Sequence, residues 1–222
     1  MGGNNKRIYA AATAFLSALD ADWERAIATV GPCTHDPKPA REPYEALIRA
    51  VAYQQLTAKA GDAIVSRLCA LSDTWRFPDP ATILTADMEI LRACGFSQSK
   101  IGTIRAIAEG VQSGLVPTGK EAKTLADEVL IERLTIIKGI GRWTVEMLLM
   151  YSLERTDILP ADDFGVRDGY RRLKRLPEKP TAKALRNIGA AWAPHRTVAS
   201  WYLWRIPKHE PEPSAERDDV EN

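Results

Sequence analysis

The first candidate for chemistry is a pair of glycines in the segment 138–144, which reads Lys-Gly-Ile-Gly-Arg-Trp-Thr. An apolar segment with helical periodicity precedes the glycines and another follows them, so the pattern predicts a sharp turn between two helices. Ile140 between the glycines is expected to turn inward as a plug. The first amides of the second helix then point outward at the positive end of its dipole, an arrangement that suits a phosphate group.

A plain turn between two packed helices is the alternative, because a Gly-x-Gly pattern is short. Arg142 and Thr144 follow the glycines directly and are placed to contact the same phosphate. Their presence favours a phosphate-binding hairpin over a purely structural turn.

The second candidate is a pair of carboxylates, Asp162 and Asp163, which follow Pro160. A helix is predicted to begin near Phe164 and to run to Leu173. Either aspartate is suited to cap that helix, and a purely structural role stays open as the alternative. We expect Asp162 to serve the structure and Asp163 to project into a cleft beside the hairpin.

The remaining composition excludes several classes of site. The chain has 222 residues, of which 45% are hydrophobic and 27% charged, and no apolar run approaches the roughly 20 residues of a membrane helix. Three widely spaced cysteines argue against a disulfide framework or an iron–sulfur cluster, and the three histidines lack metal-ligand spacing. We therefore expect no metal, no cofactor, no membrane association and, by default, a cytoplasmic location, nucleoid-associated if the source is bacterial.

The charge is unevenly distributed along the chain. Residues 133–206 carry 14 Lys and Arg against 7 Asp and Glu, whereas residues 207–222 carry 2 basic against 6 acidic side chains. This asymmetry is typical of a phosphate-facing half followed by an acidic tail. The tail is rich in Pro and Glu and lacks apolar anchors, so we predict that it is disordered.

Helical periodicity dominates the rest of the chain, and no segment alternates as a strand would, so the fold class is all-α. A stripe of apolar residues at helical spacing predicts one helix, and its members are Tyr44, Leu47, Ile48 and Val51. Thr57 is the expected N-cap of the next helix. Thr85 is the expected cap of a short helix through Leu91 that stops at Gly95. A further helix is expected over 101–111 and a loop over 31–43.

Taken together, these segments resemble the helix-hairpin-helix DNA glycosylase superfamily, and within it the 3-methyladenine DNA glycosylase II type. The resemblance runs in order over about residues 15–206. The segments that carry it are 50–57 (Ala-Val-Ala-Tyr-Gln-Gln-Leu-Thr), Phe77-Pro78, Gly95-Phe96-Ser97 with Lys100, 138–144 and 160–164 (Pro-Ala-Asp-Asp-Phe). It implies one module over 1–206 with two helical lobes and the active site in the cleft between them. Lobe A would span about 44–150, and lobe B about 1–43 plus 155–206.

The resemblance also implies roles for single residues. It assigns the catalytic carboxylate to Asp163. Met147 stands where the family has an aromatic residue, so the base-stacking surface is expected to be reduced. A wedge that fills the vacated space in the duplex would come from Gln54 or Gln55, with Gln55 favoured. Core packing is the alternative role for the two tryptophans of the pocket. The implied base pocket consists of Tyr53, Trp143, Met147, Phe164 and Trp204, and the implied DNA contacts are Gln54, Gln55, Lys138, Gly139, Gly141, Arg142 and Thr144.

The same resemblance predicts the reaction. Bifunctional members of the superfamily carry a lysine at the position of Trp143, and its amine forms a Schiff base with the sugar. Without that amine the chain is expected to be a monofunctional enzyme that uses water, acting as a monomer on double-stranded DNA that contains alkylated bases. A non-catalytic DNA-binding module, or a glycosylase for other lesions, are the alternative functions.

Overall fold

The structure is a computed structural model that describes residues 2–72 and 76–207, with side chains from residue 5 onward. The described part of the chain is helical and contains no β-strand, which confirms the all-α prediction. Within it, no helix combines the length and apolar character needed to cross a membrane. The α-helices in chain order are α1 (Gly2–Ser17), α2 (Ala21–Val30), α3 (Pro43–Tyr53), α4 (Ala58–Cys69), α5 (Pro80–Thr85), α6 (Met88–Ala93), α7 (Gln98–Gln112), α8 (Gly119–Thr124), α9 (Asp127–Thr135), α10 (Arg142–Tyr151), α11 (Phe164–Leu173), α12 (Ala182–Gly189) and α13 (Arg196–Leu203).

The chain divides into two compact units. Among the described residues, the first unit comprises 2–33, 161–193 and 198–207, and the second comprises 34–72, 76–160 and 194–197. Most of the predicted acidic tail lies outside the described residues, which end at Pro207.

The second unit is built around α3, which packs against α4, α7 and α10. Leu47, Ile48 and Val51 of the predicted stripe are fully buried, because apolar side chains at helical spacing share one face. The helix ends at Tyr53, and Gln54 and Gln55 follow it. Thr57 caps α4 by accepting a hydrogen bond from the Ala60 amide at 3.3 Å, as the sequence predicts.

The predicted helix through Leu91 is present as α6, but it begins at Met88 after Asp87, so the prediction that Thr85 caps it is wrong. Thr85 belongs to the preceding helix α5, which Asp79 caps, since Asp79 Oδ1 accepts a hydrogen bond from the Thr82 amide at 2.8 Å. Thr85 is consequently the last residue of α5, and its hydroxyl donates back to the Ala81 carbonyl at 2.9 Å. Gly95 does follow the next helix, with a φ of +108° that favours glycine.

Residues 34–43 belong to the unit that contains the hairpin and not to the N-terminal helices with which we expected them. The Lys38 amide donates to the Tyr151 carbonyl at 2.6 Å. Nε2 of buried His35 lies 3.3 Å from the Met150 carbonyl oxygen. The loop is also one residue shorter than predicted, because Pro43 occupies the first turn of α3. Proline is favoured there since that turn needs no amide donor.

The first unit pairs α1 with α2 and α2 with α11. Gly169 of α11 lies directly against the end of α13, because a Cβ built on it would lie 2.0 Å from the Leu203 carbonyl oxygen. Trp23 and Trp192 pack edge to face with ring centroids 5.5 Å apart. α11, which begins directly after Asp163, thus packs against both α2 and the end of α13.

Candidate active site

The glycine hairpin joins α9 to α10 in the second unit, and its two glycines have different surroundings. Gly139 has a φ of +90°, and a Cβ built on it would lie 2.1 Å from Thr103 Oγ1. Only glycine therefore fits that position without strain or displacement. Ile140 is 4% exposed, so it fills the interior as the sequence predicts.

Gly141 lies on the open side of the hairpin. Its backbone is extended, and a Cβ built on it meets no atom within 4 Å. In the first turn of α10, the first amide with a backbone partner is that of Thr144, which donates to the Gly141 carbonyl at 3.0 Å. The amides of Arg142 and Trp143 precede it at the start of α10, where helices leave donors unpaired. Lys138 is exposed beside them, so the backbone and one cation are available to an anion.

The Arg142 and Thr144 side chains are engaged within the protein and not directed at an external phosphate. Arg142 donates to Glu128 at 2.9 Å and to Glu146 at 3.0 Å, and the hydrogen bond to Glu128 raises the pKa of the guanidinium. Thr144 is 2% exposed and accepts a hydrogen bond from Gln54. The predicted contact of both side chains with a phosphate therefore stays a prediction.

The turn after α3 holds the two glutamines that we predicted to contact DNA. Lys100 donates to the carbonyls of Ala52 at 3.2 Å and of Gln54 at 2.9 Å, and burial lowers its pKa. Gln54 is anchored further, because its side-chain amide donates to Thr144 at 3.2 Å. Gln55 is exposed and has a φ of +59°, which is uncommon for a residue other than glycine. The turn is therefore held by hydrogen bonds from Lys100 and Gln54, and the Gln55 side chain is exposed to solvent.

Three of the predicted pocket residues lie in the same unit. Tyr53 rests on Gly61, where a Cβ would approach its ring to 2.2 Å, and its hydroxyl donates to Asp62. Burial raises the pKa of Tyr53. Trp143 and Met147 are partly exposed on α10. The buried indole nitrogen of Trp143 has no hydrogen-bond acceptor among residues 2–72 and 76–207.

Asp163 lies at the start of α11 in the first unit. Its Oδ1 accepts hydrogen bonds from the Val166 amide at 2.8 Å and from the Trp204 indole nitrogen at 2.8 Å. The first contact caps the helix, so the structural role of Asp163 is real. Its Oδ2 has no partner in the described part of the chain, and the side chain is partly exposed. Oδ1 thus accepts hydrogen bonds from within the protein, whereas Oδ2 is available to a ligand.

The two sequence neighbours of Asp163, Asp162 and Phe164, are more exposed than Asp163 and have different contacts. Asp162 is exposed and forms an ion pair with Arg186. Phe164 is 62% exposed, and the Lys179 ammonium lies 3.9 Å from the centroid of its ring. Lys179 was not identified from the sequence, and its spacing from Phe164 gave no signal for the contact.

The structure distributes the predicted site residues between its two units. The hairpin, the glutamines, Tyr53, Trp143 and Met147 lie in the second unit, and Asp163, Phe164 and Trp204 lie in the first. Direct contacts join Gln54 to Thr144 and Asp163 to Trp204. Over the described residues, no three His, Cys, Asp or Glu side chains form a group suited to a metal ion.

The chain is similar to proteins of known family. A family model described as HhH-GPD superfamily base excision DNA repair protein matches residues 48–195. DNA-3-methyladenine glycosylase 1 of Schizosaccharomyces pombe is 52% identical over 196 residues, which cover 87% of this chain and 85% of the relative. The solved structure of Schizosaccharomyces pombe 3-methyladenine DNA glycosylase (Mag1) in complex with abasic DNA matches with a TM-score of 0.82, covering 87% of this chain and 95% of that chain. DNA-3-methyladenine glycosidase from Bacillus halodurans matches with a TM-score of 0.72 and 35% identity, covering 87% of this chain and 88% of that chain.

Proposed function

The chain belongs to the HhH-GPD superfamily and is a base excision repair DNA glycosylase, and we propose that it releases alkylated purines such as 3-methyladenine by hydrolysis, without cutting the strand. The names of the relatives support this choice of substrate, since all three matches described above carry 3-methyladenine in their names, at 35% or 52% identity. The partner is double-stranded DNA from which the damaged nucleotide is rotated into the enzyme, and the protein acts as a monomer.

The observation that carries the proposal is the carboxylate of Asp163. Departure of a base from its sugar builds positive charge on the sugar ring, as in glycoside hydrolysis. A fixed carboxylate stabilises such charge and orients an attacking water. Oδ1 is held by two N–H donors at 2.8 Å each, and this leaves Oδ2 to face the sugar.

The nature of the hairpin supports a water-dependent reaction. Trp143 occupies the position at which bifunctional members of the superfamily carry a reactive lysine, and an indole has no amine with which to form a Schiff base. Indole rings also attract cations, and an N-alkylated purine is cationic, so Trp143 suits the stacking of such a base. The phosphate backbone would be held by the amides at the start of α10 and by exposed Lys138.

The two adjacent aspartates provide a matched test. Asp163→Asn removes the negative charge and should reduce base release from methylated duplex DNA by at least about 100-fold, a loss typical of a removed electrostatic stabiliser. Asp162→Asn changes the neighbouring residue in the same way, breaks only an exposed ion pair with Arg186, and should retain activity. Chromatography of the free bases measures both. Full activity of Asp163→Asn, or equal loss in both variants, would contradict the proposal.

The absence of strand cleavage has its own test. Borohydride reduces a Schiff base between an enzyme and an abasic sugar to a stable covalent adduct. We expect no such adduct when the wild-type protein turns over damaged DNA, and a trapped complex would show that the protein is bifunctional.

A further inference from the structure

The indole of Trp204 makes a specific contact with Asp163. Its Nε1 donates to Asp163 Oδ1 at 2.8 Å, across 41 residues of sequence. The Val166 amide donates to the same oxygen at the same distance. Two donors from different parts of the fold therefore converge on one carboxylate oxygen.

Gly165 makes room for this contact. A Cβ built on it would lie 2.9 Å from Trp204 Cδ1 and 3.1 Å from Asp163 Oδ1. Real Cβ atoms essentially never approach a heavy atom more closely than 3.0 Å, so any side chain at this position would push the indole edge away from the carboxylate. The absence of a side chain at Gly165 allows the indole to reach Asp163.

The backbone that carries Trp204 is also fixed. The Trp204 amide donates to the Ser200 carbonyl at 3.1 Å, directly after α13 ends at Leu203. Gly169 of α11 contacts the Leu203 carbonyl, as described above. The donor and the acceptor are consequently attached to two helices whose backbones are in direct contact, and little relative motion is available to them.

From these contacts we propose that Trp204 is a positioning residue, whose indole N–H fixes the plane of the Asp163 carboxylate so that Oδ2 has one defined direction. The proposal rests on the catalytic role of Asp163 in the proposed function. The terminal torsion of an aspartate is broad and twofold, and a single donor from Val166 leaves the group free to tilt about it. A second donor from another direction removes that freedom, and an active site that loses alignment loses rate.

This role differs from that of a stacking surface in the base pocket. A stacking residue acts through the face of its ring and is replaceable by another aromatic ring. A positioning residue acts through its N–H, which phenylalanine lacks. Trp204→Phe therefore separates the two roles, because it retains a ring face and removes the donor.

The binding part of the test uses two duplexes that contain no damaged base, and methylated duplex DNA serves to measure the rate of base release. One carries a pyrrolidine analogue of the abasic sugar, which is cationic and resembles the charged sugar of the transition state. The other carries a neutral tetrahydrofuran analogue. The wild-type protein should bind the pyrrolidine duplex more tightly, since transition-state analogues gain from groups that stabilise developing charge. Trp204→Phe should lose about 10- to 100-fold of that preference and of the single-turnover rate of base release, with tetrahydrofuran binding unchanged.

Two further variants guard against a loss that reflects only misfolding. Trp201→Phe removes an indole that is 3% exposed in α13, three residues before Trp204, and should keep the pyrrolidine preference. Gly165→Ala leaves Trp204 and its N–H in place but adds the methyl group that displaces the indole edge, and it should reproduce the loss. Thermal unfolding of each variant reports whether the fold is intact.

The possible results are distinct. A folded Trp204→Phe variant that keeps both the preference and the rate overturns the positioning role. A rate that falls while the pyrrolidine preference remains also overturns it, because that pattern reports contact with the base. A wild-type protein without any preference overturns both this role and the proposed function of Asp163, whereas a wild-type preference that only Asp163→Asn abolishes overturns the positioning role alone.

Discussion

The two glycines of the hairpin should respond oppositely to the same substitution. Gly139→Ala places an L-residue at a φ of +90°, which costs about 1–2 kcal/mol in the left-handed region. The new methyl group would lie 2.1 Å from Thr103 Oγ1, and relief of such overpacking costs about 1–3 kcal/mol more. A total of about 3 kcal/mol corresponds to a fall in Tm of about 6–12 °C for a chain of this size.

Gly141→Ala is the matched variant. Its φ of −96° suits an L-residue and its Cβ would meet open space, so alanine should leave the stability unchanged or raise it by about 0.4–1 kcal/mol through the unfolded state. The methyl group would instead obstruct a phosphate at the amides of α10, and the loss of one such hydrogen bond should weaken duplex binding by about 1–2 kcal/mol. Calorimetric unfolding and fluorescence anisotropy with an undamaged duplex measure the two effects. Equal Tm values for both variants would refute the strain argument, and unchanged binding by Gly141→Ala would refute the close approach of DNA.

Two further predictions concern ion pairs of the second unit. Arg142→Met removes the cation that pairs with Glu146, a side chain that is only 3% exposed. We expect the variant to lower the free energy of unfolding, measured in urea, by about 2 kcal/mol. Replacement of Glu146 by Met in the same protein should restore part of that loss. If Arg142→Met instead kept its stability and reduced the salt dependence of DNA binding by about one ion, Arg142 would be a phosphate ligand and not a brace between Glu128 and Glu146. Hydrogen bonds from Arg196 lower the pKa of Asp157, so its contribution to stability is present above the unfolded pKa of about 3.9 and is lost as the pH falls through the lower folded value. Asp157→Asn should therefore show a flatter decline in Tm between about pH 5 and pH 2 than the wild type, and identical slopes would contradict this assignment.

Local features of the structure were predictable from the sequence because they depend on neighbouring residues. The spacing of Leu47, Ile48 and Val51 placed one helix face in the core, and the structure buries all three. The predicted helix from Phe164 to Leu173 has those bounds in the structure. Each of these predictions needed only residues within a few turns of one another.

The remaining features depend on contacts between distant segments or on competition between neighbouring caps. The ion pair of Arg142 with Glu128 was not predicted, because Glu128 lies in the preceding helix and only the hairpin brings the two side chains together. The contact between Trp204 and Asp163 spans 41 residues, and no spacing rule reports it. Thr85 was misassigned because it ends α5, which Asp79 caps, whereas the helix through Leu91 begins only after Asp87.

The sequence also posed a choice for Asp163 between capping a helix and performing chemistry, and the structure shows why the two are compatible. Capping uses Oδ1, whereas charge stabilisation needs the net negative charge and a second oxygen. Asparagine caps helices about as well as aspartate, and its carbonyl oxygen can accept from both Val166 and Trp204. Asp163→Asn should therefore unfold within about 1 °C of the wild type while base release is lost, since a lost cap would cost about 1 kcal/mol and about 2–4 °C. Asp163→Ala removes the cap as well and should lose both activity and stability. A fall in Tm that is equal for the two variants would show that the carboxylate charge, and not the cap, stabilises this end of α11.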